Sequence, residues 1–145
     1  ELLDKEGILD NSLVVIVGDH TGVHKYYNHG INQLSQKEAW YLDDGNPIVP
    51  LIIYDKDIKE PKTLETIGGQ IDIMPTMLYL LGIDKSLYEN TALGRNLLNT
   101  NRSYAILTNG TIKGENLSTE DEEIIKSSLD LSDKMIRANY FKKVN

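Results

Sequence analysis

The 145-residue chain is 40% hydrophobic and 26% charged, which suits one soluble globular domain and excludes collagen-like, mucin-like and disordered classes. Fifteen Lys and Arg against 22 Asp and Glu give a net charge of −7, and such an acidic surface repels phosphate backbones, so nucleic acid is not an expected partner. With no Cys, disulfides, thiolate zinc sites and cysteine nucleophiles are excluded.

The opening Glu1-Leu2-Leu3-Asp4-Lys5-Glu6-Gly7 reads as the last turn of a helix closed by a glycine, so the chain is expected to be a piece of something longer. Leu13-Val14-Val15-Ile16-Val17 is apolar on both faces and predicts a central parallel strand covered by helices on either side. Residues 21–47 are polar, with a short helix expected over 32–41. Ile48-Val49-Pro50-Leu51-Ile52-Ile53-Tyr54 predicts a second strand of the same type, with Pro50 at its start or at an edge.

Gly68-Gly69 introduces a helix over residues 72–81, with Asp72 near its N-cap, Pro75 in the first turn and Gly82 past the end. Ile73, Met77, Leu80 and Leu81 fall on one stripe of it. A loop over 83–101 carries Leu93-Gly94-Arg95-Asn96-Leu97-Leu98. Asn109-Gly110 between two short β-type runs signals a hairpin. Ser118-Thr119-Glu120-Asp121 has the form of a capping box. It leads a long helix whose expected apolar face is Ile124, Ile125, Leu129, Met135, Ile136 and Tyr140. Lys142 and Lys143 at its end suit the helix dipole. The sum is an α/β layer protein. Its organisation is expected as an α/β part over 1–101 and a hairpin plus terminal helix over 102–145. No apolar run approaches the ~20 residues of a membrane span.

All three histidines, His20, His24 and His29, follow the first strand within ten residues. Ligands of open α/β sheets bind beyond the carboxyl ends of strands, and a buried strand holds its terminal residues rigidly. Asp19 and His20 stand there. A carboxylate oxygen and an imidazole nitrogen suit Zn²⁺ or Mn²⁺. Adjacent strand residues point to opposite faces, so the two converge only if the chain bends at Gly18. The plainer alternative makes Asp19 a turn cap and His20, His24 and His29 solvated imidazoles. For Asp72, N-capping is favoured over metal ligation. Arg95 is expected to pair with an acidic neighbour. Thr21 reads as a turn residue and Tyr26 and Tyr27 as loop packing.

Five segments, in one order, carry a resemblance. They are residues 9–20 ending in Gly18-Asp19-His20, then Val49-Pro50-Leu51-Ile52-Ile53, then residues 69–78, then Leu80-Leu81-Gly82-Ile83, then Gly94-Arg95-Asn96-Leu97-Leu98. Over residues 1–98 the chain resembles the C-terminal part of the sulfatase-like alkaline phosphatase superfamily, within it the lipoteichoic acid synthase and phosphoglycerol transferase branch. The resemblance implies part of that superfamily's sheet with flanking helices. It implies a divalent metal, manganese in the synthase branch, with zinc or magnesium also compatible with these donors. Asp19 and His20 match the family's Asp-His ligand pair, and the other ligands, a glutamate and a nucleophilic threonine, belong upstream of residue 1. Asn28 and His29 look like an Asn-His pair that follows the motif in some relatives; with His24 they are the expected substrate contacts. The implied substrate is a phosphatidylglycerol-type lipid or another phosphate or sulfate ester. The implied setting is the extracellular catalytic domain of a membrane-anchored bacterial protein. The upstream part of the same polypeptide is then the main partner, and the chain alone is expected to be inactive and to self-associate through open sheet edges. The competing reading is a self-contained, non-catalytic α/β binding module.

Overall fold

The computed structural model describes residues 1–20, 28–37, 48–115 and 117–143, the side chains of Asn28 and Lys143 excepted. The chain divides into two compact units, Glu1–Pro61 and Lys62–Asn145. The boundary expected near residue 101 falls inside the second unit.

In the first unit, helix α1 (Leu2–Lys5) ends as expected. Gly7 takes a positive φ of 68° and its N–H donates to the Asp4 carbonyl at 3.0 Å. A 3₁₀ turn (Ile8–Asn11) leads into strand β1 (Val14–Val17). Lys56 donates a hydrogen bond to Asp10 and lies 3.7 Å from Asp4, tying this entry segment to the chain just past strand β2 (Leu51–Tyr54). Between the strands, helix α2 spans Asn28–Asn32, so the helix expected over 32–41 is displaced. Ile31 is buried, whereas Leu34 stays exposed. One buried apolar side chain fixes the earlier turn, and the later window has nothing comparable to bury through residue 37; residues 38–41 lie outside the described residues.

The strands pair antiparallel, with Val14 opposite Tyr54, Val15 opposite Ile53, Ile16 opposite Ile52 and Val17 opposite Leu51. This corrects the parallel expectation. A wholly apolar run records burial on two faces but not the direction of its neighbour, which the return of the connecting chain decides. Val14, Ile16, Ile52 and Tyr54 share one face of this two-stranded sheet, and three of them, Ile16, Ile52 and Tyr54, remain exposed. The covers expected on both sides are therefore not supplied among the described residues. Pro50 immediately precedes β2, and its carbonyl accepts the Gly18 N–H at 3.1 Å.

In the second unit, a 3₁₀ turn (Gln70–Asp72) runs into helix α3 (Ile73–Leu80). Pro75 occupies the first turn, where a missing N–H costs nothing. The helix closes with a paired motif: Gly82 (φ 71°) donates to Tyr79 and Ile83 donates to Leu78, both at 3.0 Å. Ile73, Met77 and Leu80 are half-buried as the stripe required, but Leu81 is exposed. The loop beyond carries a 3₁₀ turn (Lys85–Leu87) capped by Asp84. Strands β3 (Tyr104–Ile106) and β4 (Ile112–Gly114) form the expected hairpin. Leu107 N–H donates to Thr111 and Gly110 N–H to Leu107, with Gly110 at φ 82°. The connection is thus a three-residue loop with glycine in the left-handed position.

Helix α4 (Thr119–Arg137) begins with the expected reciprocal cap. Asp121 N–H donates to Ser118 Oγ at 3.1 Å, and Ser118 N–H donates to Asp121 Oδ2 at 3.3 Å. Ile125 is buried and Leu129 and Met135 half-buried, but Ile124, Ile136 and Tyr140 are exposed, so the apolar face is narrower than its sequence suggested. Asn139 (φ 50°) breaks α4 from a final turn, α5 (Tyr140–Lys143). Among the described residues, no helix is long and apolar enough to cross a membrane.

The Ser118 hydrogen bonds hold the Asp121 carboxyl below its ordinary 3.8. A carboxyl depressed by folding stabilises the fold above the unfolded value and loses that support as pH falls through the folded value. Far-UV circular dichroism should therefore show wild-type helicity falling below pH ~3.8 more steeply than in Asp121→Asn. Superimposable acid limbs would refute the cap's contribution.

Candidate metal centre

Gly18 continues the β1–β2 pairing by one residue through its bond to Pro50, after which the chain bends at Asp19 and His20. A side chain at Gly18 would press on Val49 and Pro50, at 3.0 and 3.2 Å from its Cβ, so glycine also lets the two segments approach. Beyond the bend, Asp19 Oδ1 and His20 Nε2 lie 3.7 Å apart, with side chains 95% and 66% exposed. The two groups that a straight strand would separate thus converge at its carboxyl end. Two donors each about 2.0–2.2 Å from one cation can stand this far apart. An anionic oxygen and an imidazole nitrogen are also the right chemistry for a divalent ion. The pair therefore fits half of a four-ligand set.

No third His, Cys, Asp or Glu joins them among the described residues. His29 instead sits on exposed α2, where the Gln33 side-chain amide donates to its Nε2 at 3.0 Å. The Asn28 side chain, His24, Thr21, Tyr26 and Tyr27 lie outside the described residues.

A different polar cluster is buried in the second unit. Asp72 precedes α3 but does not cap it with its side chain. Its Oδ2 accepts the Gly69 N–H and its Oδ1 the Arg95 N–H, each at 2.8 Å. Asp72 thus stands at the N-cap position as expected, but its Oδ2 closes a box on the start of the preceding 3₁₀ turn and its Oδ1 holds the Arg95 loop, so the carboxylate caps that turn and not α3 itself. Arg95 lies 3.7 Å from Asp72, as the expected pairing required, with side chains 18% and 1% exposed. Its guanidinium donates to the carbonyls of Tyr104 (2.6 Å) and Ile67 (3.1 Å) and stacks 4.1 Å above the Tyr104 ring. Thr76 Oγ1 donates to the Asp72 carbonyl at 2.7 Å and accepts the Leu97 N–H at 3.0 Å. The cluster ties the segment around Gly69 and the Arg95 loop to strand β3, and each Asp72 oxygen is engaged by a backbone donor.

The ordered motifs agree with the outcome of comparison with known proteins. Residues 1–83 match the sulfatase family model. The chain belongs to the sulfatase family. It is 32% identical over 114 residues to a lipoteichoic acid synthase-like protein, YvgJ, of Bacillus subtilis, covering 75% of this chain and 18% of that protein. It is 39% identical over 89 residues to lipoteichoic acid synthase 1 of the same organism (61% and 14%). It is 35% identical over 95 residues to lipoteichoic acid synthase of Staphylococcus aureus strain USA300 (59% and 13%). Within the sulfatase family the chain thus sides with the lipoteichoic acid synthase branch. It spans less than a fifth of the length of these three relatives.

Proposed function

We propose that this sulfatase-family chain is part of a metal-dependent phosphoglycerol transferase or a related phosphatase or sulfatase, and that Asp19 and His20 are two of its metal ligands. The observation that carries the reading is the 3.7 Å approach of Asp19 Oδ1 to His20 Nε2 at the exposed end of β1, in a chain similar to lipoteichoic acid synthases. Mn²⁺ is the proposed ion. A bound divalent ion neutralises charge on a transferring phosphoryl group and lowers the pKa of a coordinated hydroxyl. The Asp19 carboxylate contributes negative charge to such a site and the His20 imidazole a neutral donor. Gly18 sets the bend that aims both the same way. A threonine nucleophile and a glutamate ligand come from residues beyond this sequence. The substrate is a phosphate ester of the phosphatidylglycerol type, and His24, Asn28 and His29 contact it.

The parent protein is membrane-anchored with its catalytic part outside the cell. The rest of that polypeptide covers the exposed face of the β1–β2 sheet, formed by Ile16, Ile52 and Tyr54. Without that cover the 145-residue chain self-associates and turns over no phosphate ester. Exhaustive chelation of the full-length parent should abolish glycerol phosphate transfer, and Mn²⁺ should restore it. Transfer that persists after chelation would overturn the metal reading.

A further inference from the structure

Charge is unevenly spread along this chain. Residues 134–145 carry Lys134, Arg137, Lys142 and Lys143 with no acidic residue, a charge of +4 against −11 for the preceding residues, which together make the −7 of the whole. The same stretch exposes large apolar groups: Ile136 is 75%, Phe141 57% and Tyr140 47% exposed. The left-handed Asn139 turns the chain between α4 and α5, and the Tyr140 and Phe141 rings meet edge to face at 5.4 Å. Arg137 is neutralised by Asp133 at 2.6 Å, whereas Lys134 and Lys142 form no ion pair among the described residues.

We propose that the α4–α5 end docks on an anionic lipid surface, its aromatic and aliphatic groups entering the headgroup boundary and Lys134 and Lys142 meeting the lipid phosphates. Basic side chains beside exposed aromatics suit such an interface, because the rings need an apolar medium and the ammonium groups need anions at its edge. A soluble polyanion would satisfy the lysines but give Phe141 and Ile136 nothing apolar to enter. A second copy of the chain would offer the acidic start of α4, Glu120 to Glu123, beside the exposed Ile124, and self-association that is lost in Phe141→Ser without any vesicle binding would assign the patch to that contact instead. At ~0.1 M salt the Debye length of about 10 Å confines repulsion from the acidic remainder, so a terminal basic patch acts locally. This proposal does not depend on the enzymatic reading.

Flotation of the 145-residue chain with vesicles in a density gradient tests it, because vesicle-bound chain floats and self-associated chain sediments. Vesicles with about 30 mol% phosphatidylglycerol in phosphatidylcholine should bind the chain, and pure phosphatidylcholine vesicles should not. Each basic charge at such a surface is worth about fivefold in affinity, so a Lys142→Gln, Lys143→Gln double variant should bind about 30-fold more weakly. Phe141→Ser should weaken binding about tenfold by removing apolar insertion. Both changes lie at exposed or terminal positions, and an unchanged circular dichroism spectrum verifies folding. Equal binding to both vesicle types, binding to neither, or unchanged affinity in Phe141→Ser would each overturn the proposal. Heparin binding as tight as vesicle binding would assign the patch to soluble polyanions instead.

Discussion

Alanine at Asp19 or His20 is expected to lower glycerol phosphate transfer by the full-length parent about 100-fold or more. Changes to groups that merely orient metal ligands already cost 10–100-fold in affinity or activity, and a ligand itself should cost at least as much. Asp19→Asn, which keeps an oxygen donor but loses the charge, should fall between wild type and Asp19→Ala. Raising Mn²⁺ should recover part of the lost rate in His20→Ala, because weakened affinity is answered by mass action. Both side chains are mostly exposed in the 145-residue chain, so without metal its thermal midpoint should stay close to wild type, within the ~0.5 kcal/mol typical of surface changes. That combination separates a ligand role from a structural one. Undiminished kcat/KM in both variants would remove the proposed function.

Asp72→Ala should act in the opposite way, on stability. The carboxylate is almost wholly buried and accepts two backbone N–H groups while facing a largely buried Arg95. Its removal strands the guanidinium charge and two amide donors, and breaking a buried pair from one side typically costs 3–5 kcal/mol. Against a usual total of about 5–15 kcal/mol, such a loss should unfold the second unit at a much lower urea concentration. Asp72→Asn retains one acceptor and should lose less. Gly94 belongs to the same clamp, because a Cβ there would stand 2.0 Å from the Ile71 carbonyl oxygen. The loop carrying Arg95 reaches Asp72 only because residue 94 has no side chain. A urea midpoint unmoved by Asp72→Ala, followed by circular dichroism, would show that the clamp contributes nothing.

These two sites differ in how far the sequence foretold them. The bend that brings Asp19 to 3.7 Å from His20 was legible because its elements are local: an apolar run ending in a flexible glycine. The Asp72 clamp was only half legible. The Arg95 pairing could be expected in kind, but its partner is 23 residues away, and nothing in the local pattern distinguishes a carboxylate that caps its own helix from one that accepts amides of other loops. His29 adds a local contact that spacing could suggest, a bond to Gln33 one helical turn along.

The chain's own letters determined what short-range chemistry can enforce. Glycines at 7, 82 and 110 take left-handed turns, Ser118 and Asp121 cap a helix, and Asn109-Gly110 closes a hairpin. Each depends on backbone sterics or hydrogen bonds within a few residues. Only the tertiary structure decided that β1 and β2 run antiparallel, that α4 buries one narrow face, and that Asp72 holds Arg95. Such outcomes depend on which distant segment arrives and from which side, and hydrophobic patterning records that a residue prefers burial without naming what will bury it.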